Sequence, residues 1–181
     1  MAKISTMEIV AGLKKRVDRL LARNKLYHMD NCIFCKIAKR EIPAARIWED
    51  ENFLAILDAS PNTRGMALVM PKKHYDSYVF DMPKNDYAEF FEAAKKASRI
   101  LEAGLGVIRV ALVMEGMGVN HAHLKLYPLY GLEEKFQEMW AKDRVFFKNY
   151  PGYISTQLGP QAGIEELKKL AEEIKDKNGL A

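Results

Sequence analysis

Glu115-Gly116-Met117-Gly118-Val119-Asn120-His121-Ala122-His123-Leu124-Lys125-Leu126-Tyr127-Pro128 is the stretch from which the rest of this chain can be read. Successive side chains of a β-strand point to opposite faces, so His121, His123, Lys125 and Tyr127 share one face while Ala122, Leu124 and Leu126 pack beneath it. Two of the chain's 4 histidines and an ammonium on one face are expensive to desolvate without partners, which argues for a use. An edge strand with a solvated polar face is the plainer alternative. The glycines just upstream shift the balance. Gly116 and Gly118 let backbone amides of Gly116, Met117, Gly118 and Val119 approach an anion closely, although a simple turn with positive φ would use the same residues. Amide donors, an imidazole nucleophile and a cation then surround one phosphate-sized space.

Working outward, Val107–Met114 precedes this stretch as another strand. Asn85–Leu105 carries Tyr87, Phe90, Phe91, Ala94, Ala97 and Leu101 on one helical face, with Gly104 as the expected stop. Phe53–Leu57 and Met66–Met70 read as two buried antiparallel strands joined by a loop, and Arg46–Trp48 as a shorter one. The expected fold is therefore α+β, an antiparallel sheet of about five strands with packed helices. N- and C-terminal helical extensions are expected at residues 1–30 and 131–181, on either side of a domain at 31–130, with the C-terminal one packed on that same domain. The first has Val10, Leu13, Val17, Leu20 and Leu21 at helical spacing behind a Ser5/Glu8 capping box. Its Lys14, Lys15, Arg16, Arg19 and Arg23 read as a solvated face or an anion- or membrane-surface helix. The last carries Ile164, Leu167, Leu170, Ala171 and Ile174.

The 181 residues match one ordinary domain, long enough to bury a core without disulfides. A net charge of +4, from 28 basic and 24 acidic side chains, is mildly favourable to anionic ligands but too dispersed to argue for nucleic acid. No apolar run approaches the ~20 residues of a membrane span, and the first residues lack a signal-peptide pattern. A cytoplasmic protein is the expectation.

The stretch Gly116–Pro128 resembles the signature of the histidine-triad (HIT) family of nucleotide hydrolases and transferases. Two further blocks are similar in order and spacing. One is Asn31-Cys32-Ile33-Phe34-Cys35-Lys36-Ile37 with Glu41-Ile42-Pro43; the other is Phe53–Asp58 through Gly65–His74. The resemblance covers about residues 31–130 and departs from the family pattern at Lys125, where a third histidine is usual, and at Met117 and Met66. It implies that His123 attacks an α-phosphorus to form a nucleotidyl-histidine, which water or another acceptor resolves. It also implies that Asp58 holds the ribose hydroxyls, where a turn role is the plainer reading. Phe53, Ile56, Leu57 and Trp48 are core residues or a base pocket. Lys125 would lie near the non-bridging oxygens and disfavour protonation of His123. A homodimer is a further implication.

Cys32 and Cys35 allow three readings: a redox pair, inert buried thiols, or half a metal site completed by His74 and His121. The last matches the structural zinc of some family members, and no organic cofactor is indicated. His28 belongs to no motif and is read as a surface residue. Three functions compete: a nucleoside-phosphate hydrolase or nucleotidyltransferase using His123, His121 and Lys125, a nucleotide-binding sensor without turnover, and a zinc-supported nucleic-acid binder. Presence of both His121 and His123 with Asp58 favours the enzyme, because a pure binder has no need of a nucleophile.

Overall fold

The computed structural model describes residues 31–155 together with Gly163 and Ile164. The helix expected at 5–24, His28, and the closing helix beyond Ile164 lie outside the described residues. The chain divides into two compact units, Met1–Glu134 and Lys135–Ala181. In the second, residues 135–155 contain no helix or strand; Phe147 meets Tyr153 edge-on at 5.6 Å, and Trp140 Nε1 donates to Glu138 at 3.2 Å.

The described part of the first unit runs α1 (Ile33–Ala38), β1 (Arg46–Glu49), β2 (Phe53–Leu57), β3 (Ala67–Pro71), a short 3₁₀ turn, α2 (Lys84–Leu105), β4 (Val110–Val113) and β5 (Leu124–Pro128). The strands form one 5-stranded sheet in the order β1-β2-β3-β5-β4. Every neighbouring pair is antiparallel. This is the expected α+β architecture, with β5 internal. Among the described residues no helix is long and apolar enough to cross a membrane.

Near-continuous apolar runs in β2 and β3 arise because the sheet is covered on both faces. On one face Phe53, Ala55, Ala67, Val69, Leu124 and Leu126 meet Phe90, Ala93, Ala94, Ala97 and Leu101 of α2. On the other, Leu54, Ile56, Leu68 and Met70 meet Phe34, Cys35 and Ile37 of α1. Arg46 anchors that short helix, donating to the Ile37 carbonyl and, at 2.7 Å, to Glu49. In β1 the register slips by one residue between Arg46 and Trp48, a bulge that lets Ile47 and Trp48 both reach the α2 core.

The strand β1 runs one residue further than the sequence reading, to Glu49, β3 is shifted by one residue to Ala67–Pro71, and α2 begins one residue earlier, at Lys84. Three other boundaries also differ. The helix α2 passes through Gly104 and ends at Gly106, whose φ of 67° is the left-handed cap that receives no Cβ penalty. The strand β4 is confined to Val110–Val113. The strand β5 begins at Leu124, because the amides of His121 and Ala122 bond to the carbonyls of Val119 and Tyr75 instead of joining the ladder. The alternation of faces nevertheless continues through His121 and His123. Phe53 and Trp48, considered for a base pocket, belong to the α2 core, on the side of the sheet away from α1.

Phe90 is fully buried and stacks on Phe53 at 5.8 Å. Phe90→Ala is therefore expected to lower stability by about 3–5 kcal/mol in urea denaturation, with the signal of the α1 side of the sheet lost in the same transition.

Candidate functional site

The site begins with two backbone carbonyls. Pro71, the last residue of β3, accepts a 2.9 Å hydrogen bond from His121 Nε2–H. That bond fixes the tautomer and leaves Nδ1 as a lone pair directed at Cys32 Sγ, 3.4 Å away, and Cys35 Sγ, 3.5 Å away. Cys35 Sγ also lies 3.3 Å from His74 Nδ1. The cysteines sit three residues apart at the start of α1 and so project from one side of its first turn. The four side chains are buried, with ligand atoms all within 4.8 Å of one another, and this cluster could hold a metal ion. Two thiols and two imidazole nitrogens converging in a buried space are a donor set that suits a tetrahedral cation.

Burial, and then the neighbouring Cys32, push the Cys35 thiol up to about 12, so a bound cation would be needed to draw out its proton. Burial pushes His121 down to about 4, which keeps its ring neutral, the form in which a histidine can bind a metal. His74 Nε2 lies 3.8 Å from Asp76 Oδ1, beyond hydrogen-bond distance.

The second carbonyl belongs to His121 itself and accepts from His123 Nδ1–H at 2.7 Å. His123 is thus oriented by the main chain of its neighbour, leaving Nε2 with the lone pair a nucleophile requires. Burial holds His123 below the ordinary histidine range, and the Lys125 charge adds to that, against the Glu115 and Asp58 carboxylates. Phe34 walls both rings, edge-on to His121 at 5.8 Å and to His123 at 5.3 Å.

Lys125 and Asp58 are both close enough for their charges to act on His123. Asp58 Oδ1 accepts from the Ser60 amide at 2.8 Å, so one oxygen performs the turn role considered for this residue. Lys125 Nζ donates to Glu115 Oε2 at 2.9 Å. Burial favours neutrality in Lys125, but Glu115 outweighs it and the ammonium is held above its usual range.

In the glycine loop, Gly116 and Gly118 have φ of 73° and 95°, Met117 is exposed, and Val119 packs on the α1-side core. A Cβ at Gly116 would lie 2.8 Å from the Ser77 carbonyl oxygen. Asn120 fastens the same approach: its Oδ1 accepts from the Ser77 amide at 2.9 Å and its Nδ2 donates to Asp76 at 3.0 Å.

Sequence reasoning gave no role to Phe34, Asp76, Asn120, Glu115 or the Pro71 carbonyl. Asn120 and Glu115 lay inside the quoted stretch, where polar residues flanking the glycines were the available signal. The Pro71 carbonyl left none, since a backbone acceptor has no residue signature.

Residues 39–131 match the HIT domain, and the chain belongs to that family. It is 39% identical over 103 residues to an uncharacterised HIT-like protein of Methanocaldococcus jannaschii, covering 55% of this chain and 79% of the relative. It is also 29% identical over 148 residues to an adenosine 5′-monophosphoramidase of Schizosaccharomyces pombe, covering 81% of this chain and 98% of that protein. A HIT-family crystal structure from Bacillus subtilis superimposes with a TM-score of 0.56 at 28% identity, over 81% of this chain and 96% of the other. A zinc-bound histidine-triad protein from Mycobacterium smegmatis does so with a TM-score of 0.51 at 34% identity, over 61% of this chain and 84% of the other.

The two loop glycines should respond differently to substitution. Gly118→Ala meets nothing within 4 Å and carries only left-handed strain, about 1–2 kcal/mol. Gly116→Ala adds a collision with the Ser77 backbone and is expected to be the more destabilising of the two by thermal melting.

Proposed function

We propose that this protein is a nucleoside-phosphate hydrolase or nucleotidyltransferase that works through a covalent intermediate on His123. The observation that carries the reading is the 2.7 Å bond from His123 Nδ1–H to the His121 carbonyl, which leaves a neutral Nε2 within reach of the Lys125 charge. Membership of the HIT family and the phosphoramidase name of the fission-yeast relative support the same class of chemistry.

In the first step Nε2 attacks the α-phosphorus in line, a P–N bond forms, and the bond to the leaving group breaks with its electron pair. Lys125 stands at the position of the family's third histidine and offers N–H donors to the non-bridging oxygens, alongside amides of Gly116–Val119. Asp58 takes the ribose hydroxyls with the oxygen not used by Ser60. In the second step water attacks the same phosphorus, P–N breaks, and one water proton passes to solvent. The nucleotide is substrate and product; a homodimer and a cytoplasmic location complete the proposal.

Zinc is the metal proposed for Cys32, Cys35, His74 and His121. With Zn–S of about 2.3 Å and Zn–N of about 2.0–2.1 Å, a tetrahedral ion sets sulfur–nitrogen edges near ~3.5 Å. Three of the four sulfur–nitrogen separations here are 3.3, 3.4 and 3.5 Å, and all ligand atoms lie within 4.8 Å of one another. The ion would be structural, pinning α1 and the start of β5 to the end of β3, and takes no part in the reaction.

His123→Ala is expected to abolish the nucleotidyl adduct that wild type forms with α-labelled nucleotide, while binding of nucleotide monophosphate persists. Wild type that forms no adduct with any nucleotide overturns the enzyme in favour of a nucleotide sensor. Metal analysis of chelator-free protein is expected to find close to one zinc per chain, and Cys32→Ser to lower both metal content and melting temperature. Full thiol titration of metal-free wild type with an unchanged melting temperature overturns the zinc assignment.

A further inference from the structure

The Lys125–Glu115 pair has a chemical consequence of its own. Lys125 lies two residues beyond His123 on the same face, where its charge reaches the imidazole. Its side chain is 24% exposed and that of Glu115 only 10%, so the 2.9 Å ion pair is sheltered from water. Glu115 cannot readily withdraw. It follows β4, whose Val113 is in register with Lys125, and it precedes Gly116, seated against the Ser77 carbonyl.

A lysine ammonium ordinarily titrates near ~10.4, and a carboxylate at hydrogen-bond distance holds it charged. Such a group donates hydrogen bonds well at neutral pH but is a poor proton donor. A histidine, titrating near ~6.5, is matched to proton transfer at that pH. The leaving group decides which of the two is needed. An amine departing from phosphorus takes the electron pair and must receive a proton as the P–N bond breaks. A phosphate departing from the same phosphorus leaves as a stable anion and needs only positive charge near its oxygens.

On the reading of His123 as nucleophile, we infer that the Lys125–Glu115 pair makes this enzyme selective for nucleotides whose leaving group is a phosphate over those whose leaving group is an amine. In the favoured reaction His123 Nε2 forms a bond to the α-phosphorus and the bridging P–O bond breaks. The leaving phosphate keeps the electron pair and no proton moves. Of the three ammonium N–H groups, one is engaged by Glu115 and two are directed by it to the departing oxygens. Glu115 is a positioning residue.

The experiment compares two substrates that deliver the same AMP group to His123, diadenosine triphosphate and adenosine 5′-phosphoramidate, with the full-length protein. Wild type is expected to show a kcat/KM at least tenfold higher for the triphosphate. Lys125→His, which supplies an acid of matched pKa, is expected to shift that ratio toward the phosphoramidate by at least tenfold. Glu115→Ala is expected to lower kcat for the triphosphate with little change in KM and to narrow the ratio, a change that mere loss of stability does not produce. A wild-type preference for the phosphoramidate, or a ratio that Lys125→His leaves unchanged, overturns the inference. Adduct trapping separates this from failure of the underlying reading. An adduct formed faster from the phosphoramidate sinks the selectivity alone, whereas no adduct from either substrate sinks both.

Discussion

The hydrogen bond from His121 Nε2–H to the Pro71 carbonyl joins the end of β3 to the approach of β5, and most of the site follows from it. It commits the ring to one tautomer, which turns Nδ1 toward the cysteines of α1. It also holds the His121 backbone where its carbonyl can receive His123. One imidazole thus organises two centres by different means, its ring serving the Cys/His cluster and its main chain serving the next histidine. His121 has no exposed surface, so water does not compete for either bond.

Much of this was legible in the residues. Strands β2 and β3 announced themselves as short apolar runs bounded by turn residues, and α2 by its spacing of aromatic and small side chains. The alternation in His121–Tyr127 placed the histidines on one face and Ala122, Leu124 and Leu126 in the opposite core, where they are found. What periodicity could not supply was the point at which backbone hydrogen bonding leaves the ladder. The amides of His121 and Ala122 choose loop carbonyls that only the folded chain brings near, and the strand is shorter for it. The end of α2 was similarly undetermined, since Gly104 and Gly106 are equally good stops until one adopts the left-handed conformation.

At the site, residue types identified candidates and geometry identified roles. Cys32, Cys35, His74 and His121 could be gathered from the sequence, but only the structure brings their ligand atoms together. Lys125 was noticed for its charge, whereas its partner Glu115 is ten residues away and reached across a strand pair. Contacts of that kind, and those of Asn120 with Asp76 and Ser77, depend on how two loops approach, which no local pattern encodes.

Covering the sheet on both faces gives this small unit a division of labour. The fully buried layer on the α2 side is apolar, and the α1 side carries the buried polar groups. Among the described residues the two layers form separate buried clusters on opposite faces of the strands they share. Packing changes under α2 therefore move the folding free energy with little effect on the positions of the imidazoles, and polar substitutions on the α1 side leave the opposite layer intact. Substitutions under α2 can accordingly adjust thermal tolerance with little change at the imidazoles, whereas those at the Cys/His cluster change both. Distortion of the backbone of β3 and β5 likewise damages both.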